Sequence, residues 1–183
     1  MKPRRPPWTA LAALLTVAAL SSCEAEIQGP AGPIKARVEL LAPDRAGFEA
    51  VADAMQPHCG TLDCHGQVGR NLRLFGARGL RLDRGGNPSD DSTTPGEYDA
   101  TFWAVVGLEP ELLTAVIRDA GAEPERLSLI RKARGHERHK GGALMQTGDD
   151  LDRCLLSWLT GPPARANCLT AAMFGPPGGP IMP

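Results

Sequence analysis

Apolar residues recur along the chain at several spacings, and each spacing predicts a different kind of segment. Trp8 to Leu20 is an almost continuous apolar run. It is shorter than the roughly 20 residues that a bilayer-spanning helix needs. Ile34, Ala36, Val38 and Leu40 alternate with charged neighbours, the period of a short strand. Phe48, Val51, Ala52 and Met55 fall at helical spacing behind Asp44, a capping residue, and ahead of Pro57, a helix breaker. This predicts a helix from Asp44 to Gln56. Further helices are predicted over Tyr98 to Val106 and over Glu109 to Ala120, where Pro110 suits the first turn. The next are Glu125 to Ala133 and a helix opening at Asp149-Asp150 and stopping at Gly161-Pro162-Pro163. A last helix fits Ala164 to Met173. Arg84 to Gly96 is rich in Gly, Pro, Ser, Asp and Thr and reads as a loop. The fold class expected is mainly α: one small helical domain over residues 34–173, with long ordered loops and no internal repeat.

The ends differ in character. Met1-Lys2-Pro3-Arg4-Arg5 is basic, the apolar run follows, and Ser21 and Ser22 precede Cys23. That is the layout of a signal peptide over residues 1–22. Leu20-Ser21-Ser22-Cys23 resembles the lipobox of bacterial lipoproteins. The resemblance implies cleavage before Cys23 and acylation of that cysteine. Glu24 stands where the inner-membrane retention signal of some bacteria has aspartate, so the resemblance implies the outer membrane, facing the periplasm. Residues 23–33 then read as a flexible tether in which Gly29-Pro30-Ala31-Gly32-Pro33 forms neither helix nor strand. Residues 174–183 read as a disordered Pro/Gly tail. Removing the three basic residues of the leader from the 20 in the chain leaves 17 against 21 acidic ones, a net charge of −4. That balance argues against nucleic acid as a partner and against a polybasic membrane patch. The lipid bilayer is expected as a partner only through the acyl chains on Cys23.

Aromatic residues are scarce, so a core with long loops calls for disulfides or a buried cofactor. Cys154 and Cys168 sit on consecutive predicted helices, and an antiparallel hairpin brings such cysteines within disulfide range. An exported chain meets an oxidising compartment, which favours that bond. The remaining cysteines stand in Cys59-Gly60-Thr61-Leu62-Asp63-Cys64-His65. C-x-x-C-H marks covalent haem c: two thiols add across the haem vinyl groups, and the histidine meets the iron. Here four residues separate the cysteines, with Gly60 available to relax the longer turn.

The surroundings of this motif resemble a class I cytochrome c, with a helix running into the motif and a leucine–tryptophan–leucine helix near the end. Gly69-Arg70-Asn71-Leu72-Arg73-Leu74-Phe75-Gly76 resembles the family's stretch after the histidine, with Arg70 in place of a proline. The resemblance implies that the Arg70 carbonyl orients His65, and that Arg70 and Arg73 can pair with haem propionates. A second iron ligand is sought between Arg134 and Met145. His139, followed by Lys140-Gly141-Gly142, is the first candidate and Met145 the alternative, with His136 or an open site left over. His58 is too close to Cys59 to reach the opposite face and reads as structural.

These features imply a membrane-anchored haem c protein that binds iron and transfers electrons in the periplasm or at the cell envelope, with an unnamed redox partner protein. The alternative is a cofactor-free binding or structural lipoprotein stapled by 59–64 and 154–168 disulfides. A zinc site from Cys59, Cys64, His65 and His139 ranks last, because it needs thiolates kept reduced. No nucleophile triad, phosphate loop or paired-carboxylate site stands out. Cys23→Ser is expected to move the protein from membrane to soluble fractions, since stable anchoring rests on acyl chains. Fractionation with lipid mass analysis checks this, and a variant that stays membrane-bound and lipid-free overturns it.

Overall fold

The computed structural model describes residues 28–29, 32–33, 39–77, 79–83, 85 and 92–175. The predicted signal peptide, Cys23, most of the predicted strand and nearly all of the predicted tail lie outside them. The chain divides into a unit over residues 1–38 and a unit over residues 39–183. In the first, Gln28–Gly29 pairs antiparallel with Gly32–Pro33. The Gly-Pro stretch expected to form no strand thus closes a minimal two-residue ladder.

The second unit is helical, as the apolar periodicity implied. Its elements are α1 (Phe48–Cys59), α2 (Pro95–Val106), α3 (Pro110–Arg118), a 3₁₀ turn (Pro124–Arg126), α4 (Ser128–Ala133), α5 (Asp150–Thr160) and α6 (Arg165–Met173). Five boundaries differ by two residues or more from the expected ones, each for a local reason. Gly47, at φ 78°, precedes α1, while the Asp44 side chain accepts the Ala46 N–H in a turn of its own. Helix α1 also continues through Pro57. The lost ladder bond is offset by the Gly60 N–H donating to the Gln56 carbonyl and by burial of His58 and Cys59. Helix α2 opens three residues before Tyr98 because Thr94 and Glu97 form a reciprocal capping box with Pro95 at the first position. Helix α3 stops at Arg118, followed by Ala120 and Gly121 at positive φ. The segment from Glu125 is broken at Leu127, whose backbone is extended. Glu109 then accepts the Ser128 N–H and holds the start of α4.

Helix α1 packs on α2, α5 and α6. Phe48, fully buried, meets Phe102 of α2 edge-on at 5.2 Å and Trp158 of α5 at 4.9 Å. Such ring pairs add about 0.5–1.5 kcal/mol each beyond burial. The Trp158 indole N–H donates to the Asp44 carbonyl, tying α5 to the entrance of α1. His58 is structural, as expected: its Nε2 bonds the Ala171 carbonyl of α6 at 3.0 Å.

Cys154 and Cys168 form a disulfide with both sulfurs buried, linking α5 to α6 across 14 residues of sequence. A loop of that length corresponds to about 3 kcal/mol of stabilisation. Cys154→Ala/Cys168→Ala is expected to lower the thermal midpoint by roughly 10 °C, read by circular dichroism. An unchanged midpoint would show that the helix pair holds without it.

Candidate functional site

Helix α1 delivers Cys59 as its last residue, and the chain then winds tightly back. Cys64 N–H and Gly66 N–H both donate to the Thr61 carbonyl at 2.9 Å, and His65 N–H donates to the Cys59 carbonyl at 2.9 Å. This turn depends on glycines through close approach. A Cβ on Gly66 or on Gly79 would overlap the Gly60 carbonyl oxygen, and one on Gly60 would overlap the Gln56 side chain. Gly60, expected to relax the turn, has ordinary right-handed φ and ψ and is there for space. Gln56 reaches onward, its Nε2 donating to the Phe75 carbonyl at 2.8 Å. The segment after the motif is thereby held against α1.

Cys59 is buried and Cys64 is half-buried, and both are free thiols. The Cys59 thiol is pushed up to about 12, by burial first and then by the neighbouring Cys64. A thiol held protonated is a poor nucleophile for disulfide exchange. His65 Nδ1 lies 3.0 Å from the Leu72 carbonyl. The orienting carbonyl is therefore that of Leu72, two residues beyond the Arg70 implied by resemblance. Arg70 instead donates from Nε to the Cys64 carbonyl at 3.1 Å, closing the motif loop with its side chain. Burial holds His65 below the ordinary imidazole range, opposed by its bond to Leu72 and helped by the neighbouring His139, Arg70 and Lys132.

The second histidine comes from the loop between α4 and α5. Leu144 and Met145 N–H both donate to the Ala133 carbonyl, at 2.8 and 3.1 Å, and close the base of that loop. His139 Nδ1 lies 3.4 Å from the Gly142 carbonyl. A Cβ on Gly141 would crowd the His139 ring at 2.8 Å, so Gly141 makes room for the ligand candidate itself, while Gly142 supplies a φ of 71°. The His65 and His139 rings lie nearly parallel, 12° apart, with centroids separated by 5.9 Å. Met145, the alternative ligand, is 1% exposed and packs in the core. His136 pairs with Glu125 at 3.1 Å instead. Of the loop's candidates, His139 faces His65.

The two rings line a cavity of about 510 Å³, within the roughly 300–1,000 Å³ of cofactor sites. Cys59 and the apolar Leu72, Leu108, Leu129, Ala133 and Leu144 form its walls, and Arg70 and Lys132 bring positive charge. Cys64 does not line the cavity wall. Arg73 is exposed and also off the wall. Lys132 and Leu108 were not singled out from the sequence, and Leu129 was read only as a buried residue of the fourth helix. The apolar stripe of the fourth helix was its only signal, and the chain break at Leu127 turns Leu129 toward the cavity while Ile130 stays in the core. No group of three or more His, Cys, Asp or Glu side chains among the described residues is arranged to hold a metal ion, which leaves the zinc reading without a ligand set. No described helix is by itself long and apolar enough to cross a membrane. Comparison with family models, curated proteins and solved structures finds no match.

Gly79→Ala is expected to destabilise the domain by on the order of 2–4 kcal/mol, because backbone must move to relieve the overlap. Gly69→Ala, with nothing within 4 Å of a Cβ, is the control. Urea unfolding checks both, and equal midpoints for the two variants would refute the close-packed turn.

Proposed function

We propose that this chain is a membrane-anchored haem c protein that carries electrons at the cell envelope. Its haem would be held between His65 and His139. The observation that carries this reading is the pair of parallel imidazoles 5.9 Å apart across an apolar cavity walled by Cys59. The hydrogen bonds agree with that use. A carbonyl only accepts, so Nδ1 of each ring carries the proton toward Leu72 and Gly142. Nε2 is then the nitrogen of each ring left to meet a metal. Burial and positive neighbours keep His65 neutral, as a ligand must be.

The cavity's lining fits the group, with Cys59 at the wall and Cys64 outside it. Cys59 and Cys64 would hold it by thioethers, and Arg70 and Lys132 would face its carboxylates. When bound, the haem iron supplies one-electron transfer between its ferric and ferrous states. The protein's part would be to hold the group with His65 and His139 and to line its site with Leu72, Leu108, Leu129 and Leu144. A group held by two histidines would suit a carrier rather than a catalyst, and its potential should lie below that of a methionine-ligated site. The redox partner would be a protein, and Cys23 would supply the anchor. The cofactor-free alternative draws on the 154–168 disulfide, with Cys59 and Cys64 not joined in the structure.

Periplasmic expression with haem c maturation proteins is expected to yield a red protein whose haem survives acid-acetone extraction. His139→Ala should open the ferrous iron to carbon monoxide, and His139→Met should raise the potential. Met145→Leu should leave the spectrum unchanged. Colourless protein with a 59–64 disulfide would sink the haem reading. A spectrum altered by Met145→Leu and untouched by His139→Ala would transfer the ligand role to methionine.

A further inference from the structure

Asp152 lies at the start of α5, in neither the cavity nor the aromatic cluster, and is 1% exposed. Its carboxylate has two sets of donors. Arg134 reaches it from Nε at 2.9 Å to Oδ1 and from Nη2 at 2.7 and 2.9 Å to Oδ1 and Oδ2. The Gly148 N–H donates to Oδ2 at 2.7 Å. Arg134 is the first residue after α4 and Gly148 is the second before α5. A single buried carboxylate therefore joins the two ends of the segment that carries His139. Arg134 is itself 6% exposed and also pairs with Glu125 at 2.7 Å, so its end of the clamp is fixed from both sides.

We infer that Asp152 is a positioning residue for His139. Together with the Leu144 and Met145 N–H bonds to the Ala133 carbonyl, it closes the 134–148 loop at its base, so that the imidazole stands opposite His65 before any ligand is bound. The inference rests on the bis-histidine reading of the cavity. Its chemistry is that of a doubly employed acceptor: a carboxylate can accept from a guanidinium fork and a backbone amide together. Asparagine in its place has one acceptor oxygen and an NH₂ donor, which must face either the Arg134 fork or the Gly148 N–H. One end of the loop is then released, and His139 spends part of its time away from the cavity. The helices below do not depend on that bond, because Phe48, Trp158 and the 154–168 disulfide join α1, α5 and α6 elsewhere.

The test compares haem-loaded full-length wild type, Asp152→Asn, His139→Ala and the disulfide-free Cys154→Ala/Cys168→Ala protein. The readout is carbon monoxide binding to the ferrous form, well below each melting temperature. Asp152→Asn is expected to bind carbon monoxide about tenfold faster than wild type or more, approaching His139→Ala, because the open population has grown. The disulfide-free protein should be less stable yet bind no faster than wild type. If Asp152→Asn matches wild type, or if the disulfide-free protein opens as much as Asp152→Asn, Asp152 has no positioning role. Should Asp152→Asn fail to accumulate, Arg134→Lys, which cannot bridge both oxygens, takes its place with the same outcomes. Amide exchange of Leu144 and Met145 in the haem-free full chain separates the two ideas. If wild type takes up no haem, the bis-histidine reading falls, and the clamp stands or falls on whether Asp152→Asn speeds that exchange.

Discussion

The contact of Phe48 with both Phe102 and Trp158 is what the remainder of the domain hangs on. It seats α1 against α2 and α5, which come from distant parts of the sequence. The Trp158 indole N–H fixes the chain just ahead of α1 through the Asp44 carbonyl. Because α1 ends in Cys59 and α5 begins just after the His139 loop, seating one helix on the other decides where both halves of the cavity lie. A chain with so few aromatics concentrates three of them at this one crossing. Replacing any of them would open a cavity that neighbouring leucines fill poorly, a change that typically costs about 3–5 kcal/mol for a large aromatic.

From that crossing, each histidine is placed by backbone. His65 is held by its own tight turn and by the Leu72 carbonyl, and the turn is held by the contact of Gly66 and Gly79 with the Gly60 carbonyl. His139 is held by the Gly142 carbonyl, by the space that Gly141 leaves, and by a loop whose base is bonded to Ala133. Backbone groups have few ways to relax, so both rings are set to better accuracy than two long side chains on open loops would be.

Much of this was legible in the sequence, and the parts that were not have physical reasons. The apolar spacing of Leu112 to Ile117 and of Leu151 to Leu159 marked α3 and α5, because an amphipathic helix writes its buried face into its period. The hairpin disulfide followed from the proline turn between them and α6. Pro57 misled as a terminator because tertiary burial of His58 and Cys59 outweighs one missing hydrogen bond. The start of α2 was written in Thr94 and Glu97 but hidden by the polar loop around it. The choice between His139 and Met145 could not be made from Gly141 and Gly142, which lie between both residues. What separates them is that Met145 is drawn inward by its bond to Ala133, leaving His139 at the wall. Leu72 was invisible as the orienting group, since any backbone carbonyl can accept and only the path of the chain decides which one does.

The free thiols and the closed disulfide take their meaning from this arrangement. Cys154 and Cys168 lie on packed helices with their Cα atoms 4.8 Å apart, so oxidation joins groups that the fold already holds together. Cys59 is fixed at the end of α1 and buried, with its thiol pushed up to about 12, and Cys64 sits on the far side of a glycine turn. Joining these two would draw on a turn that Gly60, Gly66 and Gly79 already pack to contact. The same fold thus joins one cysteine pair and leaves the other as thiols, beside two facing imidazoles and an apolar wall. Thiols beside two facing imidazoles are the groups that the proposed thioether-held haem would use.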